Sequence, residues 1–415
     1  MNAESKRIVR TYISLTLLST FASSFIWGVN TLFLLDAGLS ITAAFAANAF
    51  FTAGEVLFEI PTGVVADTRG RRTSFLLGTA TLFVTTLAYL WLWKTKGPFW
   101  AWALVSMLLG LGFTFFSGAT EAWLVDGLKA AKYDGSLDNV FAKGSIANGA
   151  AMLTGTLAGG LVAQYTNLGV PYIMRIVALA ATFAIAFFLM HDEGFKAKSR
   201  SGLLNEMKDV VSESVEFGLR NRPVRWMMLS AIFNGGVGIF AFYAMQPYLL
   251  QLYGDPSSYA VAGVSATIVA GAMIAGGFLV PYVSRMFTRR TSFLIAGVSI
   301  GVPALVLIGL VQNFWIVLIL LAVWSLVFAV TGPIRQAYMN GIIPSKQRAT
   351  VLSADNMLTS VGGVICQPGL GKVAEVWGYP ASYLGSAAFQ IIALPFMLLA
   401  RREKAKSDPI KGKTA

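Results

Sequence analysis

The chain has 415 residues, 56% hydrophobic and only 13% charged, with a net charge of +12 and a mean hydropathy of +0.66. Soluble domains carry roughly a quarter charged residues, so half that share, gathered between long apolar blocks, excludes a soluble enzyme and describes a polytopic membrane protein. A single Cys (Cys366) and a single His (His191) exclude a disulfide framework and a Cys/His metal site. No cofactor and no metal are expected, although a carboxylate-only ion site stays open. The basic residues stand at the ends of apolar segments, which fits topology and lipid headgroups rather than nucleic acid.

A hydrocarbon core of about 30 Å takes roughly 20 apolar residues per helix. In chain order the apolar runs predict an all-α protein of twelve spans, at about 11–35, 41–66, 73–93, 99–128, 140–165, 171–190, 223–252, 259–284, 291–311, 314–343, 349–377 and 380–400. Lys6, Arg7 and Arg10 lead directly into a span too long for a signal peptide's apolar stretch, so none is expected. With the N-terminus inside, every Lys and Arg except Lys94, Lys96, Arg175 and Lys372 falls on the inner side. By the positive-inside rule both termini are then cytoplasmic. Residues 1–190 form a first six-helix bundle, 191–222 a cytoplasmic linker, 223–400 a second bundle and 401–415 a tail. In the linker, Leu203, Met207, Val210 and Val211 alternate with Glu206, Asp209, Glu213 and Glu216, a pattern that predicts an amphipathic helix. The hexapeptide Arg71–Leu76 (RRTSFL) recurs as Arg289–Leu294, 218 residues later, at the second-to-third-helix link of each half. This marks a duplicated six-helix unit.

The first inner link runs Gly63-Val64-Val65-Ala66-Asp67-Thr68-Arg69-Gly70-Arg71-Arg72. Physically, Gly63 admits a close helix neighbour, Gly70 permits a tight turn, Asp67 can cap a helix N-terminus, and Arg71 and Arg72 can pair with Asp126 and Asp355. The stretch resembles the G-x-x-x-D-x-x-G-R-[RK] signature of the major facilitator superfamily. That resemblance implies two six-helix pseudo-repeats and a cytoplasmic latch built from Gly63, Asp67, Gly70, Arg71, Arg72, Asp126 and Asp355. In the second copy Arg285 stands where Asp67 does, so the latch is expected to be asymmetric. Phe58–Gly63, Gln336-Ala337-Tyr338, Ile343-Pro344-Ser345 and Arg348-Ala349-Thr350 resemble bacterial drug- and macrolide-type efflux members. Gly155–Gly160 is similar to the antiporter signature G-P-x-x-G-G, with Thr156 in place of proline. No Arg or Lys lies between Lys96 and Lys129, so the helix-four Arg of many drug:proton antiporters is missing.

Ionisable residues inside a membrane are costly unless paired and mark functional candidates. Glu55 and Glu59 lie one turn apart on helix two, Glu121 on helix four and Arg335 on helix ten, about 13 Å inside Pro344 at 1.5 Å per residue. The resemblance implies that helices one, four, seven and ten surround the substrate cavity. Glu121 and Arg335 would then face one space, as a salt bridge that breaks during transport, as a protonation site with its tuning cation, or as a static pair. Helical spacing adds Ser23, Trp27 and Asn30 on helix one, Asn234, Gly238 and Phe242 on helix seven, and Trp324, Phe328 and Thr331 on helix ten. Asp36 reads as a solvated carboxylate at the outer end of helix one. The pairs Gly362-Gly363 and Pro368-Gly369 are expected to interrupt helix eleven.

No phosphate-binding G-x-x-x-x-G-K-[ST] pattern is present, so a gradient must supply the energy. The expectation is a monomeric secondary transporter of a bacterial cytoplasmic membrane. It would work by alternating access, exporting a hydrophobic or amphipathic small molecule in exchange for protons and meeting only lipids besides. Uptake or facilitated diffusion of an anionic metabolite, lipid or lysolipid translocation, and ligand reception without flux stay open as alternatives.

Overall fold

The computed structural model describes residues 2–195, 197, 208, 212–344 and 347–410. Apart from one short π-helix, Ser214–Leu219, the regular structure is α-helical. The first part of the chain folds as α1 (Ala3–Trp27), α2 (Asn30–Asp36), α3 (Ile41–Arg69), α4 (Arg71–Thr95), α5 (Phe99–Thr114), α6 (Ala119–Ala130), α7 (Leu137–Tyr165) and α8 (Val170–Leu189). After the π-helix come α9 (Arg222–Tyr253), α10 (Tyr259–Ser284), α11 (Arg290–Leu310), α12 (Phe314–Asn340), α13 (Arg348–Ile391) and α14 (Ala393–Arg402).

Among the described residues, ten helical stretches are long and apolar enough to cross a membrane, and α1 with α2, bent by 49° at their junction, makes an eleventh. One of the ten, Thr350–Arg402, is 53 residues long and turns at Gly378. Its φ of +85° is a left-handed backbone that ends a helix and favours glycine. Splitting there gives the twelve spans expected.

Local chemistry sets the helix ends. The Asn2 side chain accepts from the Ser5 amide and caps α1, and Asn313 does the same for α12 through Ile316. Pro171 and Pro223 open α8 and α9, where the missing N–H costs nothing. Gly70, at φ +103°, makes the turn between α3 and α4.

The chain divides into two compact units. The first takes in Met1–Leu39, Phe50–Leu203 and Ser257–Thr267; the second takes in Ser40–Ala49, Leu204–Pro256 and Ile268–Ala415. In the first, Ile8, Tyr12, Leu15, Phe75, Trp123 and Leu124 form a core. In the second, Met227, Phe293, Leu294, Ile334, Tyr338 and Val351 do so.

Four expectations are corrected. Helix one is not continuous: it breaks at Gly28-Val29. Helix four also breaks, at Phe115–Gly118, where Gly118 takes φ +64°. Helix eleven runs unbroken through Gly362-Gly363 and Pro368-Gly369 as part of α13; Gly362 instead lets the backbone of Ile232 come so close that a Cβ would sit 1.9 Å from its carbonyl oxygen. Arg175 is no end-of-helix charge. It is 1% exposed within the first unit, donating from Nε to Thr86 Oγ1 at 3.1 Å and from Nη1 to the Ala22 carbonyl at 3.3 Å. The linker helix expected over Leu203–Val211 falls almost wholly outside the described residues.

Candidate transport sites

The second unit contains a cavity of about 430 Å³. Asn234 from α9, Trp324, Phe328, Thr331 and Arg335 from α12, and Asp355 from α13 line it, so five side chains chosen by helical spacing or buried charge meet there with one latch candidate. The cavity also reaches Gly297 and Gly301 of α11 and Gln390 of α13, beyond the helices expected to surround it. Trp324 and Phe328 stack at 5.7 Å, which gives the wall a flat apolar face. Phe242 is not in the wall; its ring packs edge-on against Tyr243 at 5.5 Å.

Arg335 has its carboxylate inside its own unit. Nη1 and Nη2 of the guanidinium group donate to Oδ2 and Oδ1 of Asp355 respectively, and Nη2 also donates to the Met227 carbonyl at 3.1 Å. The Arg335 side chain is 22% exposed towards the cavity and that of Asp355 is 3% exposed. This forked pair within the second unit is one that the sequence reading did not anticipate.

In the first unit the inner motif closes on itself. Asp67 pairs with Arg71 at 2.6 Å across the Gly70 turn. Together with Glu121 and Asp126 they line a second cavity of about 510 Å³. Glu121 is exposed in the first turn of α6, and its cavity neighbours include Asp67 and Arg71 of the motif but not Ser23 or Asn30. Among the described residues, nothing lies within 4 Å of the position a Cβ would take on Gly63. The break before α6 has a local consequence: the Ser117 hydroxyl donates to Glu59 Oε1 at 2.7 Å, one turn from Glu55. On helix one, Ser23 is buried and bonds back to the Ser19 carbonyl. Trp27 ends α1, while Asn30 begins α2 and accepts from the Tyr172 hydroxyl at 2.9 Å. The break therefore divides the expected stripe. Asp36, exposed at the end of α2 as expected, also accepts from the Trp93 indole at 2.7 Å.

Within the first unit and among the described residues, Arg72 is not paired with Asp126. Its amide donates to Asp192 Oδ1 at 2.9 Å, and its guanidinium donates to the Phe187 carbonyl and lies over the Phe187 ring. The second copy of the hexapeptide is held in the same way. The Thr291 amide donates to Asp408 Oδ1 at 2.8 Å, the Thr291 hydroxyl to Asp408 Oδ2 at 3.0 Å, and the Arg290 amide to the Asp408 carbonyl at 2.8 Å. An aspartate beyond the sixth helix of each half thus satisfies the free amides that begin α4 and α11. Sequence reasoning missed both residues; the only signal was that each repeat is followed, a little over 110 residues on, by a lone Asp past the last apolar run.

Asp192 lies outside the spans, and burial pushes its carboxyl up from the ordinary 3.8 against the amides and guanidinium groups of Arg72 and Arg71, which pull it down. A carboxyl whose folded value is raised holds its proton more tightly in the fold. Its stabilising contribution is full below the ordinary value and is lost as pH rises through the folded one. Asp192→Asn keeps an acceptor for the Arg72 amide but cannot titrate. We therefore expect its melting temperature, measured against wild type, to improve steadily as pH rises from about 4 to 7. A difference that stays flat with pH would remove the raised carboxyl.

Among the described residues no group of three or more His, Cys, Asp or Glu could hold a metal ion. A comparison with curated proteins finds none that matches. Among solved structures the chain is similar to the nucleoside transporter NupG, with TM-score 0.76 and 13% identity over 96% of this chain and 99% of that one. It is similar to a bacterial homolog of the human lysosomal transporter Spinster in an inward-facing, unoccupied conformation, with TM-score 0.74 and 15% identity over 99% and 100%. A D-xylose–proton symporter gives 0.72 and 16% over 100% of each. At such identities these likenesses speak for the fold alone. The sequence model of the Major Facilitator Superfamily matches residues 12–308 and 257–415, so the chain belongs to that superfamily and is a multi-pass membrane transporter, not an enzyme.

Proposed function

We propose that the protein exports a hydrophobic or amphipathic small molecule in exchange for protons, working by alternating access as a monomer in a bacterial cytoplasmic membrane with both termini inside. The observation that supports this reading best is the cavity of the second unit. Its apolar and aromatic wall, carrying a few fixed polar groups, suits a bulky amphipathic ligand. Glu55, Glu59 and Glu121 are the coupling candidates. Glu55 and Glu59 stand one turn apart on α3 and repel each other when both are ionised. Uptake of one proton relieves that repulsion, and the Ser117 hydroxyl on Glu59 would register the change at the break in helix four. A second reading, transport of an anionic metabolite, is favoured by the partial exposure of Arg335 to the cavity.

The test is flux in proteoliposomes under an imposed pH gradient, with cationic, neutral and anionic amphiphiles. Gradient-driven flux of one panel member is expected in wild type and should fall at least about tenfold in Glu55→Gln or Glu121→Gln, the usual lower range for loss of a proton-transfer group being higher still. Equal flux with and without the gradient, unchanged in both variants, would sink proton coupling. If only anionic members then moved, the metabolite reading would take its place.

A further inference from the structure

Each compact unit contains a short piece of chain from the other half of the sequence, and the two pieces are held alike. The second unit takes in the start of α3, and there the Thr42 amide donates to Glu375 Oε2 of α13 at 2.8 Å. One turn back along α13, Gly371 leaves room for Phe45: a Cβ on that glycine would lie 2.9 Å from the Cβ of Phe45. The first unit takes in the start of α10, and there the Ala260 amide donates to Gln164 Oε1 of α7 at 3.1 Å. One turn back along α7, Gly160 meets Gly263, and a Cβ on Gly160 would lie 2.5 Å from the Gly263 Cα. Thr42 and Ala260 are 218 residues apart, as are Phe45 and Gly263, the same offset as the RRTSFL repeat. On the receiving helices, Gly371 and Glu375 follow Gly160 and Gln164 by 211 residues each. The duplication has kept, twice, a helix start seated on a glycine and capped by an acceptor one turn further along.

Both caps act on the ends of α3 and α10 opposite the two RRTSFL links, but they differ in charge. A carboxylate at a helix N-terminus is a stronger cap than a carboxamide, so the Glu375 contact is the firmer of the two. It is also provided for on both sides if it opens. Glu375 Oε1 accepts from Lys372 Nζ at 3.0 Å on its own helix, and α3 has a further cap in Ser40, whose Oγ accepts from the Ala43 amide at 3.3 Å. Release therefore strands neither the carboxylate nor the first turn of α3, which suits a contact that is made and broken repeatedly. Gln164 has no such neighbour, because Leu161 stands where Lys372 does on α13.

We propose that the two crossed caps form a clasp that holds this end of the molecule closed and lets go in each transport cycle, with Glu375 the positioning residue that sets how often it opens. The proposal rests on the alternating-access reading above and goes beyond it by naming the groups that keep one side shut. Removing the Glu375 cap shifts the balance towards the open form. A carboxylate at position 164 does the opposite, since it caps α10 more strongly and has no lysine to return to when released.

Opening can be read without any substrate, from spin-label distances in the full chain in lipid nanodiscs, measured by double electron–electron resonance. Labels go on Lys94→Cys, in the last turn of α4, and Gln312→Cys, just after α11, both exposed and at the clasp end of their helices. Cys366→Ala removes the native thiol. The ratio of the longer to the shorter distance is expected to rise about fivefold in Glu375→Ala, the effect of one lost helix cap. It should rise only about twofold in Glu375→Gln, which keeps an acceptor without its charge. In Gln164→Glu it should fall at least about threefold. The same ratio in all four proteins, or a single distance common to all, would overturn the proposal, and so would losses of melting temperature that leave the ratio unmoved. The proteoliposome flux assay separates the two readings. Gradient-driven flux in wild type with one ratio in every variant removes the clasp and leaves export standing, whereas a ratio that follows the clasp without gradient-driven flux does the reverse.

Discussion

Replacing Arg335 by methionine is expected to cost about 3 kcal/mol or more of stability, the usual price of stranding one member of a buried ion pair. Asp355 would be left 3% exposed with no cation, whereas the opposite change, Asp355→Asn, leaves an Arg335 that is 22% exposed and still bonded to the Met227 carbonyl. The two single variants should therefore differ, with Arg335→Met clearly the worse. The double variant Arg335→Met/Asp355→Asn should recover part of the loss, because no buried charge then lacks a partner. Apparent melting temperatures of the four proteins in one detergent complete the cycle. Equal losses in the single variants with no recovery in the double would mean that shape rather than charge holds α12 to α13.

Gly159→Ala and Gly362→Ala should be comparably severe for a different reason. In each case the new methyl would lie 1.9 Å from a backbone carbonyl oxygen of the neighbouring helix, that of Phe25 or of Ile232. A carbonyl that is part of a helix cannot swing aside as a side chain can, so the helices must separate. Overpacking of this kind costs about 1–3 kcal/mol and more where backbone is the obstacle; about 3 kcal/mol is expected for each. Gly271→Ala and Gly369→Ala are the controls. Nothing lies within 4 Å of their added methyls, and in a helix interior alanine is favoured over glycine by roughly 0.5–1 kcal/mol. Unchanged or slightly raised melting temperatures are expected for them, and if all four variants behaved alike, close backbone contact would not be what these glycines provide.

The fold was legible in the sequence because span length, the segregation of basic residues and the RRTSFL repeat are each written in consecutive residues. The breaks were not. Gly28 and Gly118 sit in apolar runs that continue on both sides, and a lone glycine is as often tolerated in a helix as it ends one. Within the candidate sites, polar residues on α9 and α12 were found by helical spacing, since Asn234, Trp324, Phe328 and Arg335 do share a cavity. Their partners were missed. Asp355 lies on the next helix, and nothing in one sequence ranks it above Glu121 as the carboxylate for Arg335. Arg175 misled because a cation five residues into an apolar segment usually extends its head to the membrane surface, whereas here Thr86 and the Ala22 carbonyl receive it inside.

The aspartates that close each half have a practical reach. The residues that finish the second bundle are not those of its last helix: Ser407, Asp408 and Pro409 fasten the start of α11, and Ser407 also bonds to the Tyr338 carbonyl. A fusion partner or cleavage site placed directly after Arg402 would unfasten a helix more than a hundred residues upstream, while one placed beyond Ile410 would leave that closure whole.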